Sequence, residues 1–101
     1  MICYNITIKI DPQIEGEWIQ WQKSEHISEI MATAFFSEYK FFKLLDQDET
    51  EGITYVVQYF SSSLENYKKY IQQCAPLLRQ KAIAKWGNRF VAFRTVMEIV
   101  N

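Results

Sequence analysis

Residues 2–10 read ICYNITIKI, and their alternation decides the architecture. Ile2, Tyr4, Ile6, Ile8 and Ile10 fall on one side of an extended chain; Cys3, Asn5, Thr7 and Lys9 fall on the other. Period two in β-branched residues describes a strand with one side in a core and one side left polar. Asp11-Pro12 follows and marks a helix start. The Asp carboxylate can accept from free N–H groups, and proline lacks an N–H where the first turn needs none. Ile14, Trp18 and Trp21 then recur at helical spacing as an apolar stripe. After Trp21 the stripe drifts. Glu25 stands where an apolar residue is due, and Ile27, Ile30 and Met31 lie on another side. This predicts a bend near His26–Ser28, with Ser28 capping a short second piece of helix.

Working outward, Phe35–Leu45 reads as a second strand and Ile53–Phe60 as a third, joined by an acidic turn that closes at Gly52. The short connection makes them a hairpin. Ser62 with Glu65 fits a capping box for a second helix. Leu64, Tyr67, Ile71, Cys74 and Leu78 supply its buried face, and Pro76 must kink or divide it. Gly87-Asn88 offers a left-handed stop before a fourth strand over Phe90–Val100. The order βαββαβ is the ferredoxin-like arrangement, an α+β fold with both helices on one face of a four-stranded antiparallel sheet. One domain over residues 1–101 is expected, with no linker or repeat.

The helices can cover only one side of that sheet. The uncovered side is expected to carry Asn5, Thr7 and Lys9, then Thr54, Val56, Gln58 and Phe60, then Arg94, Val96 and Glu98. Val91, Phe93, Met97 and Ile99 would take the other side of the fourth strand. A mixed face of this kind commonly meets another surface, and a symmetric mate would make a homodimer. Arg94 and Glu98 would share the open face, as a salt bridge or as a grip on a ligand carboxylate.

Composition narrows the function classes. Hydrophobic residues are 49% and aromatic residues 16% of 101, more rings than one small core readily hides. Some are expected to line a pocket or a subunit contact. The net charge of −1 gives no reason to expect nucleic acid or an anionic membrane. Residues 1–50 carry nine acids against four bases, and residues 51–101 three acids against seven bases. The simplest reading lays an acidic first helix beside a basic second one. Lys68, Lys69, Arg79, Lys81 and Lys85 make the second helix basic, but no RNA-recognition signature accompanies them.

Two cysteines, Cys3 and Cys74, with one histidine cannot complete a zinc site; they read as small buried hydrophobes in a reduced compartment. Asp46, Asp48, Glu49 and Glu51 lack the glycine and glutamate positions of a calcium loop and read as a solvated hairpin tip. No metal or cofactor is expected. With no signal-peptide pattern and no long apolar run, a cytoplasmic location without membrane contact is expected.

Several segments together resemble a small bacterial family known only as a domain of unknown function. They are Glu17-Trp18-Ile19-Gln20-Trp21 through Glu25-His26-Ile27, Met31-Ala32-Thr33, Gly52-Ile53-Thr54-Tyr55, Gln58-Tyr59-Phe60, Ala75-Pro76, and Phe90-Val91-Ala92-Phe93-Arg94-Thr95. The resemblance covers nearly the whole chain and implies a dimeric α/β-barrel protein of ferredoxin-like fold, with no reaction attached. More widely, Trp18, Trp21 and His26 are similar to a pattern in dimeric α/β-barrel proteins, which include cofactor-free monooxygenases and stress-response barrel proteins. There the pocket lies between the first helix and the sheet.

Three readings of function follow. In the first, a homodimer binds a small apolar or carboxylate-bearing molecule, with Trp18, Trp21, Tyr55 and Phe93 as walls and His26 and Arg94 as polar handles. In the second, a cofactor-independent enzyme uses His26 as general base, since histidine alone titrates near neutrality. In the third, the domain only associates.

Overall fold

The computed structural model describes residues 1–101. Strand β1 (Ile2–Ile10) lies between β3 (Ile53–Ser61) and β4 (Phe90–Glu98), and β2 (Glu38–Lys43) flanks β3. The order β2-β3-β1-β4 is antiparallel throughout. This is the ferredoxin-like α+β arrangement. Even-numbered β1 side chains and odd-numbered β3 side chains face the helices: Tyr4, Ile10, Val57 and Tyr59 are each 1% exposed. Ile6 pairs with Val57 and Ile8 with Tyr55, so the isoleucine stripe continues across the strand boundary.

The first helical segment is broken in a specific way. A short turn at Pro12–Ile14 is capped by Asp11, whose carboxylate accepts from the Gln13 N–H at 2.9 Å. Helix α1 (Glu15–Trp21) runs into a π turn at Gln22–His26 and resumes as α2 (Ile27–Ala32). The Ile27 N–H donates to the Gln22 carbonyl, five residues back. The expected bend is therefore an inserted residue placed before His26–Ser28, and Ser28 caps nothing. One extra residue in the turn resets the helical phase. That reset lets Trp18 and Trp21 before it, and Ile27 and Ile30 after it, all be buried.

The second helical segment divides as Pro76 requires, into α3 (Leu64–Gln73) and α4 (Ala75–Trp86). Ser63, rather than Ser62, caps α3 by accepting from the Asn66 N–H at 3.1 Å. Gly87, at φ 60°, ends α4 with its N–H donating to the Ile83 carbonyl. The charge asymmetry is realised between the two helical segments: Lys81 of α4 meets Glu29 of α2 at 2.7 Å. A second ion pair joins Arg89 to Asp11 at 3.2 Å. Strand β2 is shorter than expected. Phe36 before it turns into the core at 4% exposure, stacking on Tyr4 and meeting Tyr70 edge-on, so that stretch belongs to the aromatic core and not to a ladder.

The orientation of β4 reverses the expectation. Thr7 lies opposite Phe93, and Ile6 opposite Arg94. Directly opposed residues in paired strands share a face. Because Ile6 faces the helices, Arg94, Val96 and Glu98 must do so too, while Val91, Phe93, Thr95 and Met97 join the open face. A hydrophobic face on an edge strand reads as core when taken alone. Here the apolar side of β4 is the outer one, with Phe93 66% and Val91 48% exposed. The assignment of Thr54, Val56, Gln58 and Phe60 to the open face agrees with the pairing to β1.

Candidate functional site

Between the π turn, α4 and the sheet lies a partly enclosed cavity of about 30 Å³. Ile6, Ile8 and Val57 form its floor, and Trp18, Trp21 and Trp86 stand around it. These are the three tryptophans of the chain. Trp21 meets Trp86 edge to face at 5.7 Å and stacks on the His26 ring at 4.5 Å. Space of this size holds one or two waters or the head group of a small molecule.

Several residues with unpaired polar atoms line this apolar space. Gln22 is 2% exposed, and its Oε1 has no hydrogen-bond partner in the protein. The same holds for His26 Nδ1 and for Trp86 Nε1, the latter in a residue 7% exposed. All three residues line the cavity, together with Arg94. Buried polar groups are nearly always paired, and leaving one unpaired costs about 1–3 kcal/mol. Three residues carrying such groups around one space mark it as a place for a polar guest.

Burial holds the His26 imidazole well below its ordinary range, at about 4, so at neutral pH the ring is uncharged. The Glu29 carboxylate pulls the other way, while the Arg94 and Lys81 cations add to the depression. Glu29 is already engaged by Lys81, and Arg94 forms no ion pair with any acid, Glu98 included.

The residues expected from sequence divide into two groups. Trp18, Trp21, His26 and Arg94 come together at the cavity. Phe93 does not, because the β4 register places it on the opposite face of the sheet. Tyr55 packs against Trp18 at 5.2 Å but turns its hydroxyl away, donating to Glu15 Oε2 at 2.6 Å. Burial and that carboxylate push the Tyr55 phenol upward. Lys43 completes the cluster at 3.3 Å from the same Glu15 oxygen. Gln22 and Trp86 were not singled out by sequence reasoning. The signal available was spacing: Trp18, Gln22 and His26 recur every four residues, a line that a π turn keeps facing inward.

Two surface grooves of about 460 Å³ are wider, but exposed polar side chains line most of each. One of them lies behind Trp21 and Trp86, which it shares as a wall with the cavity. No group of histidine, cysteine and acidic side chains could hold a metal ion, and both thiols are free. No helix is long and apolar enough to cross a membrane.

A family model described as a domain of unknown function, DUF4286, matches residues 1–100. The chain belongs to this family. No curated protein matches it significantly. Among solved structures, a variant of SnoaB, a cofactor-independent oxygenase from Streptomyces nogalater, is similar with a TM-score of 0.68 at 9% identity. That alignment covers 99% of this chain and 93% of the other. A dimeric ferredoxin-like protein from an uncultured marine organism aligns with a TM-score of 0.70 at 7% identity, over 99% and 95% of the two chains. An ethyl tert-butyl ether D family protein from Bacillus halodurans aligns at 0.69 and 11%, over 99% and 100%. At such identities the likeness establishes that this DUF4286 chain shares the ferredoxin-like fold, and no more.

Proposed function

We propose that the protein is a homodimer that binds a small molecule in the cavity beneath the π turn. The observation that carries the binding reading is that Gln22, His26 and Trp86, each with an unpaired buried polar atom, line one apolar space. Natural ligand sites have this make-up: apolar walls with a few placed polar groups. Larger guests would be accommodated by parting Trp21 from Trp86, since the groove behind them adjoins the cavity.

Because all three tryptophans line the cavity, occupancy reports directly in intrinsic fluorescence. A panel of small apolar and carboxylate-bearing compounds should shift or quench the emission saturably and raise the melting temperature. A panel-wide absence of both effects contradicts the reading. Filling the space provides a second test. Ala92 lines the cavity from β4, where a β-branched side chain is favourable. Ala92→Val should stabilise the fold by about 1 kcal/mol through added apolar burial, and it should abolish binding. Denaturant midpoints and the fluorescence titration read the two effects separately.

The homodimer rests on the open sheet face. Phe42, Val91, Phe93 and Met97 are exposed there, and Asn5, Thr7 and Gln58 form a hydrogen-bonded polar centre among them. A second copy offers the same mixture, so apolar rims and polar centres can match. Neighbours of the same fold are described as dimeric. Phe93→Lys should convert a dimer to a monomer in sedimentation at micromolar concentration, because a lysine would lose hydration at the contact. A wild-type monomer under those conditions would overturn the assignment.

A second reading, cofactor-independent catalysis with His26 as general base, is favoured by one feature, the neutral ring with an unpaired nitrogen. The same burial makes that nitrogen a weak base, which is why binding ranks first. Catalysis would show as deuterium exchange at acidic C–H positions of a bound ligand, lost in His26→Gln.

A further inference from the structure

We infer that the cavity selects a short-chain monocarboxylate, with the carboxylate held by Arg94 and the hydrocarbon on the isoleucine floor. The inference rests on the binding reading above and goes on to name the ligand class. Arg94 comes from β4 on the helix side of the sheet, lines the cavity and is exposed at its edge. It is a cation without an acidic partner, whereas Lys43, Lys69, Lys81 and Arg89 each have one. The single acid acting on His26, Glu29, is neutralised by Lys81 at 2.7 Å. The charge left facing the cavity is therefore positive.

The buried polar groups agree with that sign. The indole N–H of Trp86 can only donate, and it has no acceptor in the protein. The Gln22 amide and the neutral His26 ring can each present either an acceptor or an N–H, by amide rotation and by choice of tautomer. All four groups can thus turn donors toward one anion. Carboxylates bound by guanidinium and N–H donors form the stronger class of hydrogen bond. Among the remaining walls, Ile6, Ile8, Val57, Ala82, Phe90 and Ala92 offer nothing to a second charge. A cavity of about 30 Å³ also limits what enters to a few heavy atoms, which excludes a long chain.

The test compares butyrate with its neutral isostere butyramide by tryptophan fluorescence of the full chain at pH 7.5, with chloride matched for ionic strength. Butyrate is expected to bind with a dissociation constant of about a millimolar or below, and at least about ten-fold more tightly than butyramide. Arg94→Gln should weaken butyrate about ten-fold or more. Arg89→Gln, which alters an exposed cation paired with Asp11 elsewhere, should leave butyrate affinity unchanged. Circular dichroism checks that each variant is folded, and Arg94→Lys, retaining charge on a strand edge, should recover part of the affinity. Equal binding of butyrate and butyramide would overturn the carboxylate assignment while leaving the cavity a ligand site. Binding of neither at tens of millimolar would overturn both.

Discussion

Trp18→Ala is expected to destabilise the protein by about 3–5 kcal/mol, the largest effect of any single truncation in the chain. Trp18 is 1% exposed and is the largest side chain buried to that degree. It joins the first helical segment to the sheet, tilting against Tyr55 at 5.2 Å and meeting Phe41 edge-on at 5.9 Å. It also walls the cavity, so its removal merges existing free space with a new void. Since small domains are stable by only about 5–15 kcal/mol, this removes a large share of the total stability. Urea denaturation measures the loss. Trp18→Phe, which keeps a ring there, should cost much less; equal losses for the two variants would show that the void is not the cause.

Acid should destabilise the wild-type protein through His26. In the unfolded chain the imidazole titrates near its ordinary 6.5; in the folded protein burial lowers it to about 4. Between those values the unfolded chain holds a proton that the native state excludes. Stability from this source is therefore complete above about pH 6.5 and is lost as pH falls toward 4, by about 2 kcal/mol at pH 5. The groups acting on the ring are Glu29, Arg94 and Lys81. His26→Phe preserves a ring to stack on Trp21 and removes the titration. Its stability should fall less than the wild type's between pH 7 and pH 5, by that same about 2 kcal/mol. Parallel pH profiles in urea unfolding would contradict the buried neutral ring.

Much of the fold was legible because its patterns are local. The alternation in residues 2–10, the Asp11-Pro12 start, Pro76 and Gly87 each act within a few residues of themselves. What was not legible depends on partners distant in the chain. The face taken by Arg94 is set by its pairing with Ile6, not by the pattern of β4, whose apolar residues look outward on this strand. A β4 read alone therefore comes out inverted, and with it the placement of Phe93. The phase of the first helix depends on one inserted residue in the π turn, which composition does not announce. Hence nothing in the sequence pointed to Gln22, which the turn carries inward. Nor did anything point to Trp86, whose contact with Trp21 lies 65 residues away in sequence. Trp18, Trp21 and His26 were legible as neighbours because one helix carries them all.

The most direct test uses the fact that His26 is the only histidine. Its ring-nitrogen chemical shifts can be followed by NMR from about pH 4 to about pH 8, across the range where an ordinary imidazole titrates, with and without butyrate or butyramide. A buried ring beside a ligand cavity should stay neutral to about pH 5, and its shifts should move when either probe occupies the space. Titration near 6.5 with shifts indifferent to both probes would contradict the account.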